Sequence, residues 1–251
     1  MSPFDLSGRT ALVTGANTGL GQAIAVGLAK AGADIVAVGR SAPTETAAMV
    51  EGAGRTLHAI PADLSSIAPR ADVVSSAVAA AGSIDILVNN AGIIRRNDSL
   101  DFTEEDWDAV IDTNLKTAFF LSQAVARTWA PTGRGGKIIN ICSMLSFQGG
   151  IRVPSYTASK SGLAGLTRLL ACEWAGKGIN VNAIAPGYIV SNNTEALRND
   201  PDRSAAILGR IPAGRWGRPE DIGDAAVFLL APASAYMHGA VMPVDGGWLA
   251  R

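Results

Sequence analysis

The run Ala11-Leu12-Val13-Thr14-Gly15-Ala16-Asn17-Thr18-Gly19-Leu20-Gly21 decides how the chain is read. Three apolar residues make a short strand that stops at Gly15, and a helical pattern follows from Leu20 to Lys30. Glycines at 15, 19 and 21 permit a tight turn between them. They also let backbone amides approach a pyrophosphate, whose charge faces the positive start of the next helix. Three residues separate the first two glycines, where the common GxGxxG pattern has one. The strand-to-helix context therefore carries the reading, with Asn17, Thr18 and Leu20 as further candidate contacts in the same loop.

Outward from this loop the pattern repeats. Short apolar runs at Asp34–Val38, Thr56–Pro61, Asp85–Asn89, Lys137–Ile141, Ile179–Ala185 and Ala240–Val244 read as strands. Helical stretches fall at Pro69–Ala81, Asn114–Trp129, Ser155–Ala175 and Pro219–Leu230. Pro219 followed by Glu220 and Asp221 is good helix-start chemistry, since proline needs no amide donor and acids suit the positive helix end. Several runs are apolar without alternation, as strands covered on both faces must be. No linker or repeat divides the chain. The expected fold is α/β: a single doubly wound Rossmann-type domain over residues 1–251, with about seven parallel strands and helices on both faces.

Composition excludes several classes. The 251 residues carry 21 basic and 22 acidic side chains, a net charge of −1, so nothing electrostatic favours nucleic acid or an anionic membrane as partner. With 48% hydrophobic and only 17% charged residues, the chain is too apolar to be disordered, and part of its surface is expected to be covered. Two cysteines, Cys142 and Cys172, exclude a disulfide scaffold, and the first residues lack the apolar core of a signal peptide. A cytoplasmic protein is expected. His58 and His238 have no partner spacing for a metal site, and none is expected.

Open α/β sheets bind ligands at the carboxyl ends of their strands. The acidic residue expected about 20 positions after the glycine loop, which would hold a ribose 2′-hydroxyl, is absent. The second strand ends instead at Gly39-Arg40-Ser41. Arg40 there can accept a 2′-phosphate, a local argument for NADP over NAD. Asp63, with Leu64 beside it, is placed to reach the adenine edge, and Asn90-Ala91-Gly92 can bring backbone close to the adenosine ribose.

Tyr156 and Lys160 are four apart, which on a helix places both on one face. A tyrosine of ordinary pKa is a poor base at neutral pH, but a nearby ammonium favours its phenolate. Ser143 follows the fifth strand and can hydrogen-bond a reacting oxygen. The amide of Asn114 can hold a water connecting Lys160 to solvent. Four such residues in this order make a proton-transfer set.

These features together resemble the short-chain dehydrogenase/reductase family, from Thr14 to Asp245-Gly246-Gly247. The resemblance rests on the glycine loop, Asn89-Asn90-Ala91-Gly92, Asn114, Ser143, Tyr156, Lys160 and Pro186-Gly187. It implies a nicotinamide cofactor, a homotetramer, and cofactor contacts at Pro186, Gly187, Ile189 and Ser191, the last standing where the family has threonine. Tyr156 and Lys160 are then cofactor contacts as well as catalytic residues. Longer strings look like the 2-deoxy-D-gluconate 3-dehydrogenases, also called 2-dehydro-3-deoxy-D-gluconate 5-dehydrogenases. Among them are Ile93-Ile94-Arg95-Arg96, the segment from Ser143 to Tyr156, and Ile211-Pro212-Ala213-Gly214-Arg215-Trp216-Gly217. That group is generally NAD-linked, so NAD(H) and NADP(H) both stay open.

A sugar-acid substrate calls for a cation, preferably a bidentate arginine. Arg96, Arg152 and Arg215 lie in the right segments; Arg152 stands four before Tyr156, and Gln148 is available for sugar hydroxyls. Two other readings compete: a 3-oxoacyl-carrier-protein reductase, and a dinucleotide-sensing binding protein without turnover.

Overall fold

In a computed structural model of the chain, residues 2–65 and 70–251 are described. Among them seven strands form one sheet: β1 (Thr10–Thr14), β2 (Asp34–Gly39), β3 (Leu57–Pro61), β4 (Ile86–Asn89), β5 (Gly136–Ile141), β6 (Ile179–Pro186) and β7 (Val241–Val244). Every pairing is parallel, in the order β3-β2-β1-β4-β5-β6-β7. The order reverses between β1 and β4, the crevice where sheets of this kind take ligands.

The helices are α1 (Gly19–Lys30), α2 (Thr44–Gly52), α3 (Arg70–Ala81), α4 (Glu104–Ile111), α5 (Thr117–Trp129), α6 (Pro154–Trp174), α7 (Glu195–Arg198), α8 (Pro201–Leu208) and α9 (Pro219–Leu230). The expected start of the third at Pro69 lies outside the described residues. Successive strand side chains point to opposite faces, and both faces are apolar. Ala11, Val13, Ile35, Ala37, Ile86, Val88 and Ile139 pack against Ile24 and Leu28 of α1 and Ile222 and Ala226 of α9. Leu12, Val36, Val38, Leu87 and Ile138 pack instead against Val73 of α3, Leu121 and Val125 of α5, and Leu170 of α6. This explains the unbroken apolar runs of the sequence. Between the sheet and α5 and α6, Asn89 donates to Ser122 and to Asn140, each at 2.9 Å, and Asn140 donates to Thr167 at 2.9 Å. These buried amides thereby satisfy one another, as buried polar groups must.

Four helices had no counterpart in the sequence reading: α2, α4, α7 and α8. Their apolar faces are small. Only Val110 of α4 and no residue of α8 is buried. The starts of α4 and α8 are set by capping, with the Thr103 hydroxyl accepting from the Asp106 amide and the Asp200 carboxylate from the Arg203 amide. The expected helix over 114–129 begins differently as well. Asp112–Lys116 is one π-helical turn joining α4 to α5, and it carries Asn114. Such turns recur at functional sites.

Candidate active site

The glycine loop spans from β1 to α1 at the sheet's reversal point. Gly15 and Gly19 take φ of 66° and 58°, a region that favours glycine. A Cβ on Gly21 would run into the Gly15 carbonyl and the Asn90 side chain. Asn90 fixes this loop: its Nδ2 donates to the Thr14 and Gly15 carbonyls at 2.9 and 3.2 Å. Thr14, which the sequence reading passed over, completes the clamp. Its hydroxyl accepts from the amides of Asn90 and Ala91 at 3.0 and 2.9 Å. Thr18 is the N-cap of α1, makes no side-chain cap, and no acid stands in the first turn. The amides and positive dipole at this end of α1 thus face the loop without an internal anion to neutralise them.

Beside the loop, a cavity of about 160 Å³ is bounded by Ala16, Asn17, Gly39, Ser41 and Ala59–Pro61. Asn17 donates to the Ser41 hydroxyl at 2.9 Å, tying the glycine loop to the end of β2. Arg40 is exposed at the rim. Its charge reaches Asp63, whose carboxyl is held below its usual range chiefly by hydrogen bonds from Ser65 and further by Arg40. Leu64 is buried, and its carbonyl accepts from Thr117 at the start of α5 at 3.0 Å. The glycine cradle, the small-residue cavity and the rim arginine suit a dinucleotide with or without a 2′-phosphate.

At the other side of the reversal, α6 brings up the tyrosine and lysine. Pro154 opens the helix, and Lys160 Nζ lies 5.6 Å from the centre of the Tyr156 ring. Nζ donates to the Ile141 carbonyl at 2.6 Å. The Ser143 side chain, close enough to lower the Tyr156 pKa, heads a short turn over Met144–Ser146. Ser146, absent from the sequence reading, pins this turn to α6 by donating to the Lys160 carbonyl at 2.8 Å. Gly92 closes the group: a Cβ there would stand 3.1 Å from Asn114 Oδ1 and 3.7 Å from Lys160 Nζ.

The electrostatics differ from expectation in one respect. Burial raises the Tyr156 pKa, and what lowers it in return is the Ser143 hydrogen bond and then the charge of Arg96. Lys160 is not among the groups that lower it. Burial drops Lys160 itself to about 8. Both side chains are therefore pushed toward their neutral forms. Asn114 is buried, and both of its amide protons are taken, by the Ile93 carbonyl at 2.9 Å and Ser159 Oγ at 3.3 Å. Its Oδ1 accepts from the Ile93 amide at 2.8 Å. A relay water could meet this side chain only by donating to the second lone pair of Oδ1.

The expected contacts run from the end of β6 into the segment that follows it. Gly187 has no room for a Cβ, which would meet Asp245 Cα at 2.5 Å. Ile189 is buried and pairs with Gly217, while Ser191 opens a turn held by Thr194, whose hydroxyl donates to the Ile189 carbonyl at 2.6 Å. Pro186 ends β6 itself.

The arginine candidates separate. Arg96 is exposed, donates to the Asn193 carbonyl at 3.2 Å, and its charge reaches the Tyr156 hydroxyl. Arg215 is held bidentate by Asp221 at 2.7 and 3.1 Å. Arg152 lies before the start of α6, so its spacing from Tyr156 is not helical. It takes φ of 63°, and its carbonyl accepts from the Asn97 amide at 3.1 Å. Its backbone, rather than its guanidinium, holds the 93–97 segment. Gln148 is half-buried and bonded to Trp248.

Comparison with known proteins agrees with this geometry. Residues 15–249 match the family described as enoyl-(acyl carrier protein) reductase. The 2-dehydro-3-deoxy-D-gluconate 5-dehydrogenase of Dickeya dadantii is 59% identical over 251 residues, covering 100% of this chain and 99% of that one. A 3-oxoacyl-[acyl-carrier-protein] reductase of Vibrio harveyi is 37% identical over 97% of this chain and 98% of its own. Among solved structures, an Agrobacterium tumefaciens protein assigned as a 2-deoxy-D-gluconate 3-dehydrogenase, crystallised with NADP, superposes with a TM-score of 0.95. It is 61% identical, with 100% of each chain covered. The chain belongs to the short-chain dehydrogenase/reductase family.

Proposed function

We propose that the chain oxidises a secondary alcohol of a deoxyhexonate, 2-deoxy-D-gluconate or 2-dehydro-3-deoxy-D-gluconate, reversibly and with NAD(H) or NADP(H). The observation that carries this reading is the Tyr156 side chain beside Lys160, with Ser143 and the Arg96 charge close enough to lower its pKa. Gly15, Gly19, Gly21 and the α1 N-terminus would hold the pyrophosphate, and Arg40 and Asp63 the adenosine end. Lys160 and the segment from Pro186 to Ser191 would hold the nicotinamide half. When bound, this cofactor supplies the hydride acceptor.

In oxidation Tyr156 takes the hydroxyl proton while Ser143 fixes the oxygen. Lys160 passes the proton onward toward water at Asn114 Oδ1. Acid–base help of this kind typically contributes about 10² to 10⁴ in rate, with positioning contributing much of the rest. Arg96 meets the substrate carboxylate. A homotetramer belongs to the same proposal, supported by large apolar residues left exposed on the single chain, such as Leu100, Ile151 and Tyr236. Among the described residues, no helix is long and apolar enough to cross a membrane.

The test is initial rates on a panel of deoxyhexonates and acetoacetyl thioesters with both cofactors. Turnover of the deoxyhexonates alone is expected. Preference for the thioesters would establish the carrier-protein reductase, and no redox change with any substrate would establish a binding protein.

A further inference from the structure

The C-terminal turn is built around Trp248. Asp245 accepts from the amides of Gly247 and Leu249, each at 2.9 Å, and Gly246 and Gly247 take φ of 64° and 87°. A Cβ on Gly246 would meet Ile211 at 2.9 Å, so the turn lies close against its neighbours. The indole it carries is 5% exposed, with the Arg210 guanidinium 4.1 Å from its ring centre and the Tyr188 ring edge-on at 4.8 Å. Trp248 Nε1 donates to Gln148 Oε1 at 3.2 Å, across 100 residues of sequence.

An indole nitrogen is a donor only. It therefore settles which way the Gln148 amide points, because only Oε1 can face it. The Nε2 protons are left facing away from Trp248, and they donate to no described residue. Gln148 sits at the end of the turn headed by Ser143: its amide donates to the Met144 carbonyl at 3.1 Å. The serine that lowers the Tyr156 pKa and this oriented amide thus ride on one short turn.

We infer that Trp248 is a positioning residue that presents Gln148 as a donor, so that Gln148 selects a substrate by an acceptor oxygen, carboxylate or keto, rather than by a sugar hydroxyl proton. This rests on the sugar-acid reading above. It narrows the expectation that Gln148 is available for sugar hydroxyls to contacts in which Gln148 donates, and it gives the Asp245-Gly246-Gly247-Trp248 ending a part in specificity.

The test is steady-state kinetics with Trp248→Phe, Gln148→Ala, the double variant and Gln148→Glu. Trp248→Phe and Gln148→Ala should each raise KM for the sugar acid roughly tenfold, with kcat and cofactor KM little changed. The double variant should be no worse than either single one, because both remove the same contact. Gln148→Glu keeps an acceptor for the indole but puts an oxygen where the donors were, and should raise KM more than Gln148→Ala. Exchange of the Trp248 indole proton should be slow in the parent and fast in Gln148→Ala, a readout that needs no turnover and shows whether the bond exists. If Trp248→Phe proves unstable, Gln148→Glu decides alone. A glutamate variant with unchanged or lower KM, or single effects that multiply, would overturn the inference while leaving the sugar-acid reading intact. Absence of sugar-acid turnover in the parent enzyme would overturn both.

Discussion

Lys160 Nζ stands 5.6 Å from the centre of the Tyr156 ring, and burial moves the two side chains apart in proton affinity. The lysine falls to about 8 and the tyrosine rises above its ordinary value. Lys160 gives up its proton first, and the neutral amine is then the group that can take up the alcohol proton passed on through Tyr156. For oxidation, kcat/KM should rise with pH and level off above about 8; for reduction it should fall across the same range. Lys160→Arg, whose guanidinium keeps its proton, should move that limb upward. Paired pH–rate profiles check this, and profiles flat between about pH 7 and 9 would contradict it.

The three arginine candidates give a sharp contrast. Arg96→Ala removes the only one of them whose charge reaches Tyr156 and should raise KM for an acidic substrate roughly ten- to a hundredfold. Arg152→Ala should change KM by less than about twofold, since its backbone carbonyl makes the structural contact. Kinetics against the acid and a neutral analogue decide: equal loss for both substrates in Arg96→Ala would remove it from the carboxylate.

At the adenosine end, Arg40→Ala should weaken NADP use roughly ten- to a hundredfold and leave NAD use nearly unchanged. The ratio of kcat/KM for the two cofactors is the measurement. If that ratio does not move, Arg40 is a solvated rim residue that only lowers the pKa of Asp63.

Much of this was legible in the residues because the sheet is parallel and buried on both faces. Runs such as Asp34–Val38 and Lys137–Ile141 read as strands without needing register. The glycine loop and the Tyr156/Lys160 spacing were legible because local geometry alone fixes them. What escaped depended on distant partners. Thr14 becomes a clamp only because β4 delivers Asn90 beside it, and Ser146 only because α6 passes over its turn. Arg152 stands four before Tyr156, but it lies ahead of the helix that Pro154 opens and itself takes a positive φ, so the spacing alone does not put the two on one helix face. Helices such as α4 and α8 were hidden because capping rather than a core-facing stripe defines them.

Tyr156 is the group that exchanges a proton with the substrate oxygen. Initial rates of NAD(P)H formation from 2-deoxy-D-gluconate by the parent enzyme and by Tyr156→Phe, alongside cofactor binding by each, test it most directly. The phenylalanine should leave cofactor affinity within a few-fold and cut turnover by about 10² to 10⁴ or more. Turnover within a few-fold of the parent would show that the proton travels by another group.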